Sequence, residues 1–268
     1  MRSHFKSWHS YRDFEQAVKH SNRYIRSIET EEFLQTLLST SKGFKERIKP
    51  ESIFWRAQLG YEEKEGVSGN SKHVSHKYCP YPPERMTPQF RKASAGRANP
   101  KGIPCLYLAT DQKTAISEVR PWIGSMVSAA QFKPLRELEV INFTEAKFDL
   151  DKYKNLEIIS YEVEPESNVR KEIVWTEINE AFSRPIIPND QVDDYVPTQI
   201  IAELFKNAGL DGIAYASSLG PGHNLAIFDI EALKIVNCFL CKVNKIEVDY
   251  YEPGNSYFIE DEEENKDE

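Results

Sequence analysis

The chain has 268 residues, 40% of them hydrophobic, with 34 Lys and Arg against 42 Asp and Glu, a formal net charge of −8. That length and apolar content suit one large domain with a buried core rather than two full domains. The segment 259–268 carries −6 of the charge, so the remaining body is near neutral and offers no broad basic field for a phosphate backbone, which disfavours nucleic-acid binding. The start of the chain is polar and aromatic, and no apolar run is long enough to span a bilayer, so a cytoplasmic protein without membrane attachment is expected. Four cysteines are too few for a disulfide framework at this size.

From Tyr11 to Ser39, Phe14, Val18, Ile25 and Ile28 and then Phe33, Leu34, Leu37 and Leu38 recur at roughly helical spacing and predict one or two amphipathic helices. Ser52 to Leu59, apolar and aromatic around Phe54 and Trp55, reads as a strand ending at Gly60, with Arg56 inside it. The chain then turns polar and proline-rich through Pro80, Pro82, Pro83 and Pro88, which predicts a long loop over 61–95 with neither helix nor inner strand through most of it. A turn-dense run from Gly96 to Pro104 leads into a buried strand, Cys105 to Ala109. Asp111 is placed to cap a helix that starts at Gln112 and is limited by Pro121, with Glu118 about two turns in.

Strand-like pieces follow within Val127–Phe143 and Glu157–Val163, and a helical pattern in Lys171–Phe182. Thr198 to Ala208 sets Ile200, Ile201, Leu204, Phe205 and Ala208 on one helix face, with Gly209 to close it. Gly212–Ser217 and Leu225–Asp229 read as two strands joined by a Gly/Pro turn over Ser218–Asn224. Helices and strands mix without a regular βα alternation, which gives an α+β fold class. The expected organisation is an N-terminal helical segment at 1–50, a main domain at 51–245 and an extension at 246–268 whose acidic tail is disordered.

Three segments carry polar groups that make chemical sense together, although each also has an ordinary structural reading. Arg97 lies in a turn-rich loop, where a guanidinium either takes a phosphate through paired hydrogen bonds or is simply solvated. Tyr107 and Glu118 supply an aromatic face and a carboxylate, or core packing and a helix-surface charge. Ser217 and Asn224 flank a Gly-Pro-Gly turn that also serves as a plain hairpin connection. His73, His76 and Cys79, and separately Cys238 and Cys241, have ligand-type spacing, but the second pair falls in a strand-like segment and no metal site is expected. Neither a Gly-x-x-x-x-Gly-Lys-Ser/Thr loop nor a Gly-x-Gly-x-x-Gly sequence occurs, so any dinucleotide must be held without those devices.

As an ordered set these segments resemble the RES-domain family, named for its arginine, glutamate and serine. Gly96-Arg97-Ala98-Asn99 through Tyr107 to Glu118 is similar to the family's Gly-Arg-aromatic-Asn…Tyr…Glu signature, with Ala98 in place of the aromatic. Tyr215-Ala216-Ser217 followed by Asn224-Leu225-Ala226-Ile227-Phe228 is similar to its Tyr-x-Ser element and closing strand, and Arg56 matches an upstream arginine more loosely. The resemblance spans about 52–243. It implies an ADP-ribosyltransferase-like mixed sheet and an enzyme that cleaves the nicotinamide–ribose bond of NAD by hydrolysis or phosphorolysis. It also implies the toxin of a toxin–antitoxin pair, with an antitoxin protein as partner. Under that implication Arg97, Glu118 and Ser217 are catalytic, while Arg56, Tyr107 and Asn224 bind substrate. No cofactor is needed, because NAD is the substrate and inorganic phosphate an alternative acceptor to water; a homo-oligomer is left open. Two other readings stay in play: transfer of ADP-ribose to a macromolecule, and a module that binds NAD or ADP-ribose without turnover.

Overall fold

The structure, a computed structural model, describes residues 4–67, 74–144, 146, 164–184 and 192–250. In chain order the elements are α1 (Ser10–His20), α2 (Ile28–Thr40), β1 (Lys45–Ile48), β2 (Phe54–Leu59), β3 (Glu62–Val67), β4 (Val74–Cys79), α3 (Pro83–Met86), β5 (Leu106–Ala109), α4 (Gln112–Glu118), β6 (Met126–Pro134) and β7 (Leu138–Asn142). After these come α5 (Ser167–Ser183), α6 (Val196–Asn207), β8 (Gly212–Ala216), β9 (His223–Ile227) and β10 (Leu233–Lys242). Eight strands form one sheet in the order β1-β7-β8-β9-β5-β2-β6-β10. The β7–β8 pair is parallel and the others antiparallel, so the sheet is mixed and the fold is α+β.

Strand alternation sorts side chains onto two faces. On one face α1, α2, α5 and α6 bury Phe14, Leu34, Trp175 and Phe205 against Ile213, Tyr215 and Ala226 of the sheet. The expected N-terminal helices are present, and they share this core rather than standing apart: Phe5, Phe14 and Leu37 belong to the same cluster as Trp175 and Phe182. The predicted stripe breaks at Ile25 and Ile28, which lie at the turn into α2 and are 86% and 76% exposed. Farther along the same face, α4 packs Ala115 against Ala57, Ala109 and Val127, with Trp55 at the edge of the cluster. Phe54 and Arg56 alternate with Trp55 and Ala57, so they project from the opposite face, where Phe54, Leu106, Leu108, Ala130 and Phe132 pack beneath Tyr81 and Met86.

The expectation of a loop over 61–95 needs correction. β3 and β4 form a separate two-stranded antiparallel sheet there, and α3 follows it. Glu63, Lys64, Lys77 and Tyr78 are exposed, so this hairpin lacks the apolar alternation by which a half-buried strand is recognised. The prolines do not interfere, because the first, Pro80, lies just past the end of β4. Pro83 opens α3 at a position where a missing N–H costs nothing. The strand-like stretch Glu157–Val163 and the acidic tail lie outside the described residues, as does His73.

Helix α4 forms as its sequence predicts. The Asp111 carboxylate accepts the Thr114 backbone N–H at 2.9 Å and the Thr114 hydroxyl at 2.7 Å. The helix ends at Glu118, and Arg120 turns into the left-handed region at φ 46° immediately before Pro121. Removal of the cap by Asp111→Ala is expected to cost about 1–2 kcal/mol and to lower the thermal midpoint by roughly 3–6 °C. Thermal unfolding followed by circular dichroism checks it, and an unshifted midpoint would show that Thr114 finds another partner at no cost.

Candidate active site

Glu118 is the last residue of α4, Ser217 follows the end of β8, and Asn224 is the second residue of β9. The structure brings all three together. Ser217 Oγ donates to Glu118 Oε1 at 2.7 Å, and Asn224 Nδ2 donates to the same oxygen at 2.6 Å. Both donors are neutral, so the carboxylate is oriented without being paired to a cation. Among the described residues nothing bonds to Oε2, which remains available to a ligand. Ser217 Oγ in turn accepts the backbone N–H groups of Leu219 and Gly220, each at 3.1 Å. The hydroxyl therefore has its acceptor sites filled, and its proton points at Glu118.

Close backbone approach holds the 217–222 connection against α4. A side chain at Gly220 would place its Cβ 2.6 Å from Thr114 Cα, and one at Gly222 would lie 1.9 Å from Asp111 Oδ2. Gly222 N–H donates to Thr114 Oγ1 at 2.8 Å, and His223 N–H to Thr110 Oγ1 at 2.9 Å. The capped first turn of α4 is thus also the platform for the turn that delivers Ser217. From the other side, the end of α5 contributes Asn179, whose Oδ1 accepts the Ala216 N–H at 3.4 Å, and the Ser183 carbonyl, which accepts from Ser218 Oγ.

Arg97 reaches the same region from the loop before β5. Its Nη2 donates to the carbonyl of Arg184 at the end of α5, where a cation meets the negative pole of the helix. The guanidinium also lies close enough to Tyr215 to act on its hydroxyl. Burial raises the Tyr215 pKa, the Arg97 charge opposes the rise and Glu118 adds to it, which sets all three groups within electrostatic reach. Among the described residues no carboxylate lies within ion-pair distance of Arg97. The loop is fixed by Asn99, whose Nδ2 donates to the carbonyls of Ser94, Pro100 and Ile103, and by Gln199 of α6, whose Nε2 donates to those of Gly96 and Asn99.

Tyr107 lies on the Glu118 face, but its hydroxyl is committed to this loop: it donates to Asn99 Oδ1 at 2.7 Å and accepts the Ala98 N–H at 2.9 Å. Burial holds its pKa well above the ordinary tyrosine value. Gly96 is required beneath it, since a Cβ there would stand 2.5 Å from that hydroxyl oxygen. Arg56 is not brought into the group. It pairs in register with Ala130 and so projects from the opposite face of the sheet, with Nη1 donating to the Tyr107 carbonyl of β5 at 3.2 Å. The small Ala98 is buried in the core formed by the helices.

Sequence reading did not single out Asn179 or Gln199, and it named Tyr215 only within the Tyr-x-Ser resemblance. Tyr215 is two residues before Ser217 and directly opposite Asn224, so strand parity alone places it beside the cluster. Asn179 and Gln199 are polar residues on apolar helix faces, a signal that marks a buried hydrogen bond but not its partner. Among the described residues no group of three or more His, Cys, Asp and Glu could hold a metal. Cys238 and Cys241 stand three apart on β10 and project to opposite faces, with Cys241 accepting from Gln112 Nε2 at 3.3 Å. No described helix is long and apolar enough to cross a membrane.

Comparison with known proteins adds a family. The RES domain matches over residues 73–239, more than half of the chain, and that span contains every member of the cluster while Arg56 lies upstream of it. No curated protein matches the chain. Among solved structures, a chain of the M. tuberculosis MbcT–MbcA toxin–antitoxin complex is similar at a TM-score of 0.40 and 11% identity, over 77% of this chain and 92% of that one.

Proposed function

The chain belongs to the RES domain family, and on that premise we propose that the Glu118 cluster cleaves the bond between nicotinamide and ribose in NAD, with water or inorganic phosphate as acceptor. The observation that carries this reading is a carboxylate fixed through one oxygen by two neutral donors, Ser217 and Asn224, with its other oxygen unbonded among the described residues. Departure of nicotinamide builds positive charge on the ribose, and a fixed carboxylate placed against that charge lowers the barrier more than a mobile one, because no reorganisation is needed during the reaction. The leaving group starts as a cation and departs neutral, so no strong general acid is required. Among the described residues no second carboxylate is paired with Glu118, which fits a reaction of that kind.

Arg97 is assigned to the dinucleotide's phosphates, which its guanidinium can meet while the Arg184 carbonyl holds its position. Tyr107 acts through the loop it pins, and Asn224 through the carboxylate it orients. In a cell, turnover of this kind depletes NAD, and on this reading the chain is a toxin of the cytoplasm restrained by an antitoxin protein.

Incubation of the purified protein with NAD, with and without phosphate, tests the proposal. Free nicotinamide is expected in either case, with ADP-ribose as co-product in water and its 1″-phosphate if phosphate is the acceptor. No nicotinamide in any arm would leave a binding module, and label retained on protein or nucleic acid would point to transfer. Arg97→Ala is expected to lower kcat/KM about 10–100-fold, chiefly through KM, with the thermal midpoint little changed, because one charge-assisted contact to phosphate is lost from a side chain that contributes little packing. Steady-state kinetics decide this, and an unchanged kcat/KM would remove Arg97 from the site.

A further inference from the structure

The eight-stranded sheet ends in β1 on one side and β10 on the other. β1 is guarded as edge strands usually are, being four residues long with Lys45, Glu46 and Arg47 all exposed. β10 is built the opposite way. It runs ten residues, and between Lys234 and Lys242 it carries neither a charged side chain nor a proline. Among the described residues no strand pairs with its outer edge. A bulge at Val236 interrupts it near its start, but from Asn237 onward its register with β6 is unbroken. Val243 extends that register, donating to the Ser125 carbonyl at 2.9 Å and accepting the Gly124 N–H at 2.8 Å. Val243 thus bonds inward, as do Cys241 and Phe239 by alternation, and Cys238, Leu240 and Lys242 turn their N–H and C=O groups outward. Asn237 Oδ1 accepts one of these groups, the Cys238 N–H, at 3.0 Å. Past β10, Ile246, Val248 and Tyr250 alternate with Glu247 and Asp249 in a strand-like pattern, and the three apolar side chains are 42%, 81% and 82% exposed.

We propose that β10 pairs antiparallel with β10 of a second copy of this chain, about a two-fold axis at Leu240, so that two sheets become one. A long, apolar, unguarded edge invites a strand, and a strand that is its own complement is always at hand in a second copy. Leu240 is the midpoint of the unbroken stretch Asn237–Val243, so an axis there pairs that whole stretch with its copy. It also sets Lys242 opposite the partner's Cys238. An axis at Lys242 would instead oppose two lysines, and one at Cys238 would run Leu240 into the partner's bulge. In the chosen register the outward N–H and C=O groups of Cys238, Leu240 and Lys242 all find partners, and a backbone carbonyl replaces Asn237 Oδ1 on the Cys238 N–H. The alternating segment after β10 then continues along the partner's edge, which covers its apolar side chains. The pairing does not depend on what the Glu118 cluster does.

Sedimentation of the full chain over a range of concentrations tests the proposal, and the unaltered protein is expected to approach twice the chain mass as concentration rises. Leu240→Lys and Leu240→Glu each set two like charges against one another at the axis. Each is expected to weaken self-association by at least about tenfold. An equimolar mixture of the two variants is expected to restore the dimer, because lysine then faces glutamate, a rescue that a mere folding defect cannot produce. Amide exchange supplies a check that needs no substitution: the Leu240 and Lys242 N–H groups are expected to be protected at high concentration and to exchange freely on dilution. An unaltered chain that stays monomeric throughout, variants that associate as well as it does, a mixture that fails to recover, or exchange at Leu240 that ignores concentration would overturn the assignment.

Discussion

Glu118→Gln is expected to reduce nicotinamide release from NAD by on the order of 100-fold or more while leaving the thermal midpoint within a few degrees of the unaltered protein. The substitution is nearly isosteric, and the glutamine carbonyl oxygen can still accept from Ser217 Oγ and Asn224 Nδ2. The scaffold of the cluster therefore survives, and only the negative charge is withdrawn from the position facing the ligand. A neutral amide cannot stabilise an oxocarbenium-like ribose, so the loss should fall on kcat at least as heavily as on kcat/KM. Single-turnover measurement of nicotinamide with purified proteins is the direct check, and wild-type rates in the glutamine protein would end the assignment of Glu118 to the chemical step.

Gly220→Ala should be the most damaging single-methyl change near the site. Its Cβ would stand 2.6 Å from Thr114 Cα and 2.9 Å from Thr114 Cβ, so the obstacle is the backbone of α4 and not the end of a flexible side chain. Relief requires the 217–222 connection to lift away from the helix, which strains the Gly222 N–H to Thr114 Oγ1 bond and pulls Ser217 from Glu118. Overpacking of this kind costs about 1–3 kcal/mol. Turnover should fall at least tenfold, because the Ser217–Glu118 geometry is lost together with the contact, on the order of 1–2 kcal/mol of transition-state stabilisation. Thermal unfolding and nicotinamide release measured on one preparation test both halves. A protein with unaltered midpoint and rate would mean that the turn does not rest on α4 as described.

Several of these features were legible in the sequence for identifiable reasons. Asp111, the helix after it and the stop before Pro121 follow from local capping and the steric rule at proline, and the structure reproduces each. The helix at Val196–Asn207 was readable because Ile200, Ile201 and Phe205 fall on one buried face. The β3–β4 hairpin was not, because its exposed charged residues lack the alternation on which a strand is recognised. The placement of Arg56 was hidden for a different reason. Its strand was readable, but which face an alternate residue takes depends on the partner strand, and only the pairing of Arg56 with Ala130 settles that. The convergence of Ser217 and Asn224 on one oxygen of Glu118 also lay beyond local reading, since neither spacing nor propensity reports which of two carboxylate oxygens is engaged.

The hydrogen bonds that organise Glu118 join residues 99 and 106 positions apart in the chain. Closing contacts at that separation carries a loop-closure cost that local helices do not bear. During synthesis, Glu118 and the loop arginine emerge long before the residues that orient the carboxylate. A chain stopped within β8 would contain α4 and its cap but neither Ser217 nor Asn224. The cluster is consequently complete only when β9 lies between β8 and β5. If the cluster acts on NAD as proposed, the nascent chain would then remain inert, and activity would appear only once nearly all of the described fold is in place.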